Sequence, residues 1–513
     1  MLGVGRRNTL RSTPDFRGPW PSPWAANCRV SDNLDRRLRG GSRPGLTAYG
    51  SGFGTPSDMV SVDTSTAAGG ASSILVILAG SALGTVEGGT SSTPVAYPTD
   101  AAGDTITNAG GDNLYLGDAA APASGFLVVG HQHAYAVTTS GITKFNPKTG
   151  QTDDVIATAG TVPTSCTFGA IYRDRFCLSG QDNAIYMSRL GDYTDWDYGA
   201  HVGDSNRALA FQLALSAEVG PLPTAMIAHK DTHLLVGTEN SLWVVSGDPA
   251  ADGTLRRISE NVGILSKRAW CKMEDTVCFL SNDGVYRVQV DGSGLTPMSE
   301  QTVPEELRDV DPATTTITLG YEHERRTIHV FLRTSGGSDT HWVHEIESEA
   351  WWPVRLQDTH SPLATCQHDG ELLLAGSDGT VRKIGGDDDT GTAIQSHVAI
   401  GPLRIGQRNH FGRILNLTGM IAQGSGTVTW RIVTGNTAEE ASDNAKAAIE
   451  AFQAGSSYAT YVHSSGSWTA GRAVMSYPRT RAIWCCIWLQ STAKWAFEGV
   501  AMETSQSGKW RGA

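Results

Sequence analysis

The sequence predicts an all-β protein: a β-propeller of six or seven blades, preceded by an extended N-terminal arm and followed by a C-terminal β-sandwich-like domain. Three observations carry this. A hairpin phrase recurs at blade spacing, glycines punctuate short apolar runs, and the repeat stops near residue 399.

The phrase is a short apolar strand, a small polar turn, then a second strand with an aromatic or aliphatic residue. Copies are AYAVTTSGITKF (from Ala134), RFCLSGQDNAIYMS (from Arg175), HLLVGTENSLWVV (from His233), VCFLSNDGVYRV (from Val277) and LLLAGSDGTVRKI (from Leu372). Turns such as Asn282-Asp283-Gly284 and Ser377-Asp378-Gly379 supply the residues that tight hairpins need. Taking Phe145, Tyr186, Trp243, Tyr286, Trp342 and Val381 as equivalent gives intervals of 41, 57, 43, 56 and 39 residues. A four-stranded blade repeats at roughly 40–50 residues, whereas a β-sandwich takes about 100. Six blades follow, and the region before Gly125 is the candidate for a seventh.

The expected domains are an arm over 1–66, a propeller with an irregular first part over 67–398, and a β-rich domain with one helical insertion over 399–513. The arm holds Pro14, Pro19, Pro21, Pro23 and Pro44 with Trp20 and Trp24, a density of proline that opposes helix and central strand. Its aromatics suit anchoring on a neighbouring surface. Residues Ala67 to Asp118 are rich in Gly, Ala, Ser and Thr, and fit either an irregular blade or an insertion. In the last domain, TAEEASDNAKAAIEAF (Thr437 to Phe452) is the clearest helix, with Thr437 and Glu440 forming a capping box. Trp484, Trp488 and Trp495 belong to a filled core or a subunit contact.

Composition narrows function. The 513 residues imply two or three domains, and 59 glycines fit a turn-rich β protein. With 40 basic and 52 acidic residues the net charge is −12, which disfavours gripping nucleic acid but lets DNA slide past an acidic wall. SSILVILAG (Ser72 to Gly80) is far shorter than the ~20 residues of a membrane span, and no apolar run follows Arg6, Arg7 and Arg11 as in a signal peptide.

No catalytic, cofactor or metal site is predicted. The eight cysteines (28, 166, 177, 271, 278, 366, 485 and 486) form no C-x-x-C pair. Cys271 and Cys278 face each other if CKMEDTVC folds as a hairpin, but buried free thiols are the preferred account. His131/His133 and His341/His344 have ligand-like spacing without a third ligand, so core or solvent histidines are expected. Glu345, Glu347 and Glu349 alternate before Trp351-Trp352 and are expected on a solvated strand face. Asp387-Asp388-Asp389 is expected as a solvated turn ending the propeller. Asp283-Gly284 and Asp378-Gly379 lack the residue that separates Asp from Gly in a sialidase Asp box. Phosphate loops and nucleophile elbows are absent from the sequence.

Three stretches carry a family resemblance: RRLRGGSRPGL (Arg36 to Leu46), the run of phrases from Thr224 to Glu300, and GRAVMSYPRTRAIWCCIWL (Gly471 to Leu489). The middle one orders MIAHKDTHLLVGTENSLWVVSGDP, RISENVGILSKRAW and VCFLSNDGVYRV. Together they resemble the propeller-containing tail nozzle or tail-hub proteins of short-tailed bacteriophages, the tail tubular protein B type. The resemblance implies a virion structural protein, assembled in the host cytoplasm and not an enzyme. It also implies a homo-oligomeric, hexameric ring below portal and adaptor, with the tail adaptor and other tail proteins such as fibres as partners. Genomic DNA would pass through the lumen without sequence-specific binding. The Gly/Ala/Ser/Thr-rich early region departs from the family pattern. The alternatives are a carbohydrate-binding or depolymerising receptor-binding propeller, and a protein-interaction scaffold.

Overall fold

A computed structural model describes residues 24–509 except 66–70, 81, 92–124, 140, 181, 201, 215–219, 290–291, 299–303, 337–338, 357–359, 407–409 and 472. The expected anchors Trp20, Pro14, Pro19, Pro21 and Pro23 therefore lie outside the described residues, as do residues 92–118.

Six four-stranded antiparallel sheets follow one another, each laid down from the inner strand outward, and a seventh, larger sheet follows them. They occupy 56–91, 126–154, 168–212, 223–259, 270–297, 315–354 and 362–384. We number them blades 1 to 7. The fold is an all-β propeller. All six residues chosen from the repeat lie on third strands, of blades 2 to 7, and the region before Gly125 supplies blade 1 through Pro56–Ser65, Ala71–Ala79, Ala82–Glu87 and Thr90–Ser91.

The repeated phrase stands out because of where its first strand sits. Second strands are covered on both faces by neighbouring blades, so they need continuous apolar runs rather than alternation. Thr276–Ser281 and Arg175–Ser179 are buried at every position, and Glu371–Gly376 at every position but the first. Peripheral strands such as Thr254–Ser259 have no fully buried residue.

Blade 7 takes only three strands from its own stretch of chain. Its fourth is Leu46–Gly50, which arrives from before blade 1 and pairs antiparallel with Val381–Ile384. The propeller ring is closed by overlapping its two chain ends. The expected arm boundary at residue 66 is corrected accordingly: Leu46–Gly50 and Pro56–Ser65 are propeller strands. Proline marked the arm, but Pro56 sits at a strand start, where its missing N–H costs nothing.

The C-terminal domain has three layers. Its middle sheet runs in the order Trp24–Ala26, Ser396–Arg404, Trp484–Ser491, Val428–Gly435, Val462–Trp468. On one side lies an outer sheet. Its central strand His410–Ile421 pairs with Phe497–Lys509 on one flank and with Ala473–Ser476 and Arg481–Ala482 on the other. Trp430, Trp468, Trp495, Ile414, Ile487 and Leu489 fill the space between the sheets. On the other side lies helix α1, Ala438–Gln453, which buries Ala441, Ala445, Ala448 and Ile449 against Trp488 and Cys486. The N-cap half of the box forms, with Thr437 Oγ1 accepting from the Glu440 N–H at 3.0 Å, while the Glu440 carboxylate reaches one residue further back and accepts from the Asn436 N–H at 2.8 Å.

Between the two domains runs the segment 24–50. Trp24–Ala26 pairs with His397–Ala399, Cys28–Ser31 pairs with Leu38–Ser42, and Gly41 bridges Ala496. The glycines of RGGSRPG follow from close approach. A Cβ on Gly41 would sit 2.3 Å from the Trp495 carbonyl oxygen, and one on Gly45 1.9 Å from that of Asp388. Arg43 is the centre of the joint. It is buried, with both Nη atoms on the Asp389 carboxylate, Nε on Asn27 Oδ1 at 2.9 Å and Nη2 on the Arg355 carbonyl at 2.9 Å. Asp389 is thus buried rather than in a solvated turn, because a cation 346 residues earlier in the chain compensates it.

Removing one partner of such a pair leaves a buried charge alone, which costs about 3–5 kcal/mol. Asp389→Ala is expected to lower stability by that amount, read as a fall in the urea midpoint. Arg43→Lys is expected to be destabilising as well, since one ammonium cannot reach Asp389, Asn27 and the Arg355 carbonyl together.

Candidate functional site

Three places concentrate polar chemistry: the propeller axis, the turns on one propeller face, and the junction between the domains.

The axis is bridged by the crossover from blade 4 to blade 5. Ala269 N–H turns back onto the Ser266 carbonyl at 3.0 Å, and Trp270 Nε1 donates to the Lys267 carbonyl at 2.8 Å. This turn points Lys267 and Arg268 inward. Arg268 pairs with Asp58 of blade 1, donates to the Leu127 carbonyl of blade 2 at 3.2 Å, and stacks 3.8 Å above the Phe126 ring. Its own carbonyl accepts from Leu319 of blade 6. Asp58 is 1% exposed and also accepts from the Leu127 N–H at 2.6 Å. Lys267 reaches the Thr167 carbonyl of blade 3 at 3.5 Å, and burial lowers its ammonium to about 8. One two-residue turn therefore contacts blades 1, 2, 3 and 6 from the entrance to blade 5.

On one face, the turns after the inner strands join blade to blade. His131 Nε2 meets Asp174 Oδ1 at 2.7 Å, Asp231 accepts from the Arg173 N–H at 2.7 Å, and Lys230 meets Asp275 at 2.7 Å. Arg326 lies 3.6 Å from Glu274, so the chain of contacts runs from blade 2 to blade 6. Both central residues of three turns, His131-Gln132, Arg173-Asp174 and Lys230-Asp231, have positive φ, the twist that two-residue hairpins favour. These pairs are solvent-exposed and individually weak.

The junction holds a buried ionic cluster. Glu322 contacts Arg325, Thr327 and His329, with Arg29 at 3.8 Å. His329 Nδ1 lies 3.1 Å from His341 Nε2. Burial, only partly offset by Glu322, lowers His329 to about 4; burial and its neighbour His329 hold His341 well below the usual histidine range. Burial pushes Glu322 up, but the His329 hydrogen bond and the surrounding cations outweigh it and keep the carboxylate ionised far below the usual range. Beside the cluster opens a cavity of about 580 Å³ whose walls include Trp24, Trp342, Glu306, Asp339, Arg355 and His360. Asp378 orients His360 through Nδ1 at 3.0 Å, and itself takes Arg382 at 2.7 Å and Thr380 at 2.9 Å.

The sequence candidates resolve individually. His131 turns to Asp174 and stacks on Tyr193 at 4.6 Å, whereas His133 Nδ1 contacts the His131 carbonyl. His341 faces His329, and His344 packs on Trp351 at 4.7 Å. Among the described residues no cluster of three His, Cys, Asp or Glu is placed to hold a metal ion. All eight cysteines are free, with Cys271 directly opposite Cys278. The solvated face expected for Glu345, Glu347 and Glu349 is corrected. The strand ends at Glu345, which is buried and accepts from the Ser31 N–H and Ser348 Oγ, while the other two sit exposed in the following turn. No helix among the described residues is long and apolar enough to cross a membrane. Sequence reasoning missed the Arg268 bridge and the Arg43 joint.

No family model and no curated protein matches the chain. Among solved structures it is similar to U3-55K, with 7% identity over 67% of this chain and all of that one, at a TM-score of 0.40. It is also similar to YCF48 bound to D1 peptide, with 11% identity over 67% and 98%, at 0.39. The extracellular domain of BT4673 from B. thetaiotaomicron matches with 13% identity over 74% of this chain and 43% of that one, at 0.40. These likenesses bear on no functional argument; the blade count rests on this chain's own strand pairing.

Two outcomes follow from the site. Arg268→Ala strands the Asp58 carboxylate and is expected to cost about 3 kcal/mol or more, measured by urea unfolding. Burial also lowers His344 to about 4 and His397 to about 3. A histidine held below its ordinary value refuses a proton that the unfolded chain accepts near pH 6.5, so stability is full above that pH and falls as pH drops toward 4. His344→Phe should flatten that fall by about 1.4 kcal/mol per pH unit, read from urea midpoints between pH 7 and 4.5.

Proposed function

We propose that this chain is a structural subunit of a bacteriophage tail, a nozzle or hub ring below portal and adaptor through which DNA leaves, and that it acts mechanically rather than as an enzyme. The observation that carries the reading is where the three family-like stretches fall. Arg36 to Leu46 contains the Arg43 joint and runs into the strand that closes blade 7. Thr224 to Glu300 is blade 4, the axis-bridging crossover and blade 5. Gly471 to Leu489 supplies strands to both sheets of the C-terminal domain. Each stretch builds a joint between parts, as expected of a family defined by mechanical integrity.

Charge supports the same reading. A net charge of −12 suits a lumen past which DNA slides without sticking. In the ring, the protein would act as a homo-oligomer in the virion, contacting adaptor and fibre proteins.

One observation favours a second reading, a carbohydrate-directed propeller. The junction cavity places Trp24 and Trp342 in the same walls as Glu306 and Asp339, a mixture of aromatic and carboxylate groups that sugars use.

Negative-stain microscopy and light scattering of the full chain, alone and with tail partner proteins, separate the two. Rings in either condition are the expected result. A monomer that joins no partner but binds bacterial surface polysaccharide, with binding lost in Trp342→Ala, would replace the tail reading with the second.

A further inference from the structure

The C-terminal domain carries two unlike outer layers, and their chemistry is complementary. On the outer sheet, residues facing away from the core include Leu415 (38% exposed), Met420 (37%), Met475 (53%) and Tyr477 (67%). They account for four of the nine large hydrophobic residues exposed among the described residues, and Leu415, Met420 and Met475 alternate with the inward-facing Ile414, Leu417, Ile421 and Val474. Register brings them together: Thr418 lies opposite Met475, Met420 opposite Ala473, and Tyr477 Oη donates to Met475 Sδ at 3.2 Å. Along the flank formed by Phe497–Lys509, the positions opposite Met420 and Thr418 are Gly499 and Ala501, so the face is low there. Isolated exposed apolar residues are ordinary, but a contiguous cluster marks an interaction surface.

The cluster is bordered by cations. Arg413, Arg479 and Arg481 are exposed, and none has an ion-pair partner among the described residues. Arg481 lies 4.6 Å over the Phe411 ring on this face. The carboxylates nearby are already engaged, Glu503 by Asn416 and Glu498 by Arg39.

The opposite outer layer is α1. Its exposed positions are Glu439, Glu440, Asp443, Lys446 and Glu450; Glu440 caps the helix and Glu450 lies 3.9 Å from Lys446, which leaves Glu439 and Asp443 as its available carboxylates, with the small Ala447 and Ala451 half-buried on the helix. Sixteen residues of helix are about 24 Å long, which fits along the twelve-residue strand His410–Ile421. A helix with short side chains and an acidic face suits a flat, apolar, arginine-bordered sheet.

We propose that the outer sheet of one copy binds helix α1 of a second copy, head to tail. The two surfaces lie on opposite sides of one domain, so every copy keeps one of each free. Such a heterologous contact continues from copy to copy and closes into a ring when the rotation permits. The apolar cluster supplies the desolvated centre and the Arg–carboxylate pairs supply register and orientation. This rests on the ring reading above, and adds which surfaces make the ring.

Sedimentation velocity and light scattering of the full chain, alone and with tail partners, test it. Arg413→Glu with Arg481→Glu, or Glu439→Lys with Asp443→Lys, is expected to raise the concentration for half-assembly at least tenfold. Combining the two sets in one chain should recover most of that loss. Unchanged thermal midpoints, checked on each variant, show that the fold is intact. As a second readout, chains carrying Met475→Cys and chains carrying Asp443→Cys should form a disulfide-linked pair when mixed, and neither should when alone. Rings that assemble normally in both charge-reversed variants would overturn the proposal and leave the ring reading standing. A wild-type chain that stays monomeric with every partner would overturn both.

Discussion

Closure of the propeller by Leu46–Gly50 is the constraint on which the remaining structure depends. The last stretch of the ring supplies only three strands to blade 7, which would leave Val381–Ile384 as an open edge one strand short of the other blades. Here that edge is paired by a strand laid down before blade 1. The same segment must therefore return from the C-terminal domain, where Trp24–Ala26 is an edge strand of the middle sheet. Two independent-looking domains become one body, because the single stretch 24–50 belongs to both. The buried Arg43–Asp389 pair sits where that stretch turns from one domain to the other. Its guanidinium also holds Asn27 and the backbone of Arg355, so strand, linker and blade 6 are positioned by one side chain.

Electrostatics inside the molecule differ in kind from those outside. Outside, an excess of carboxylates gives a net charge of −12. Inside, arginines are used as multi-donor anchors: Arg43 and Arg175 are both essentially inaccessible to water. Arg175 donates to the carbonyls of Ser188, Ser205 and Arg207 and to Asp248, tying an irregular loop of blade 3 to blade 4. A fixed fork of five donors satisfies such sites where a lysine could not. Buried histidines act differently. They are kept neutral by burial and pack as aromatic rings, as His344 does on Trp351 and His397 between Phe452 and Trp488.

What could be read in advance followed from local physics. The blade period was legible because second strands sandwiched between blades require unbroken apolar runs, and turns between them require Gly, Asn or Asp. The helix was legible through its cap at Thr437 and Glu440. What could not be read was non-local. Nothing in the composition around Pro56 distinguishes a first inner strand from an arm, since that identity comes from packing against blade 7, over 300 residues away. Glu345 looked solvent-facing because its neighbours Glu347 and Glu349 are charged, yet Ser31 of the N-terminal segment covers it. The ionic cluster and the Arg268 bridge were hidden for the same reason. Their partners come from different blades, and pair identity across a ring has no sequence period.

The order of events in folding follows from this topology. Blades 2 to 6 each close on local hairpins and can form as the chain emerges. Blade 7 cannot be completed until Leu46–Gly50 meets Val381–Ile384, and the middle sheet cannot gain its edge until Trp24–Ala26 meets Val398 and Ala399. Both closures carry sequence separations of more than 300 residues, and non-local pairings form slowly because the loop entropy must be overcome first. Until they form, blade 7 and the middle sheet each expose an open strand edge, the feature that invites pairing with another chain. The N-terminal segment therefore does more than join domains. By pairing with both edges at once, it completes blade 7 and the middle sheet in a single step of closure.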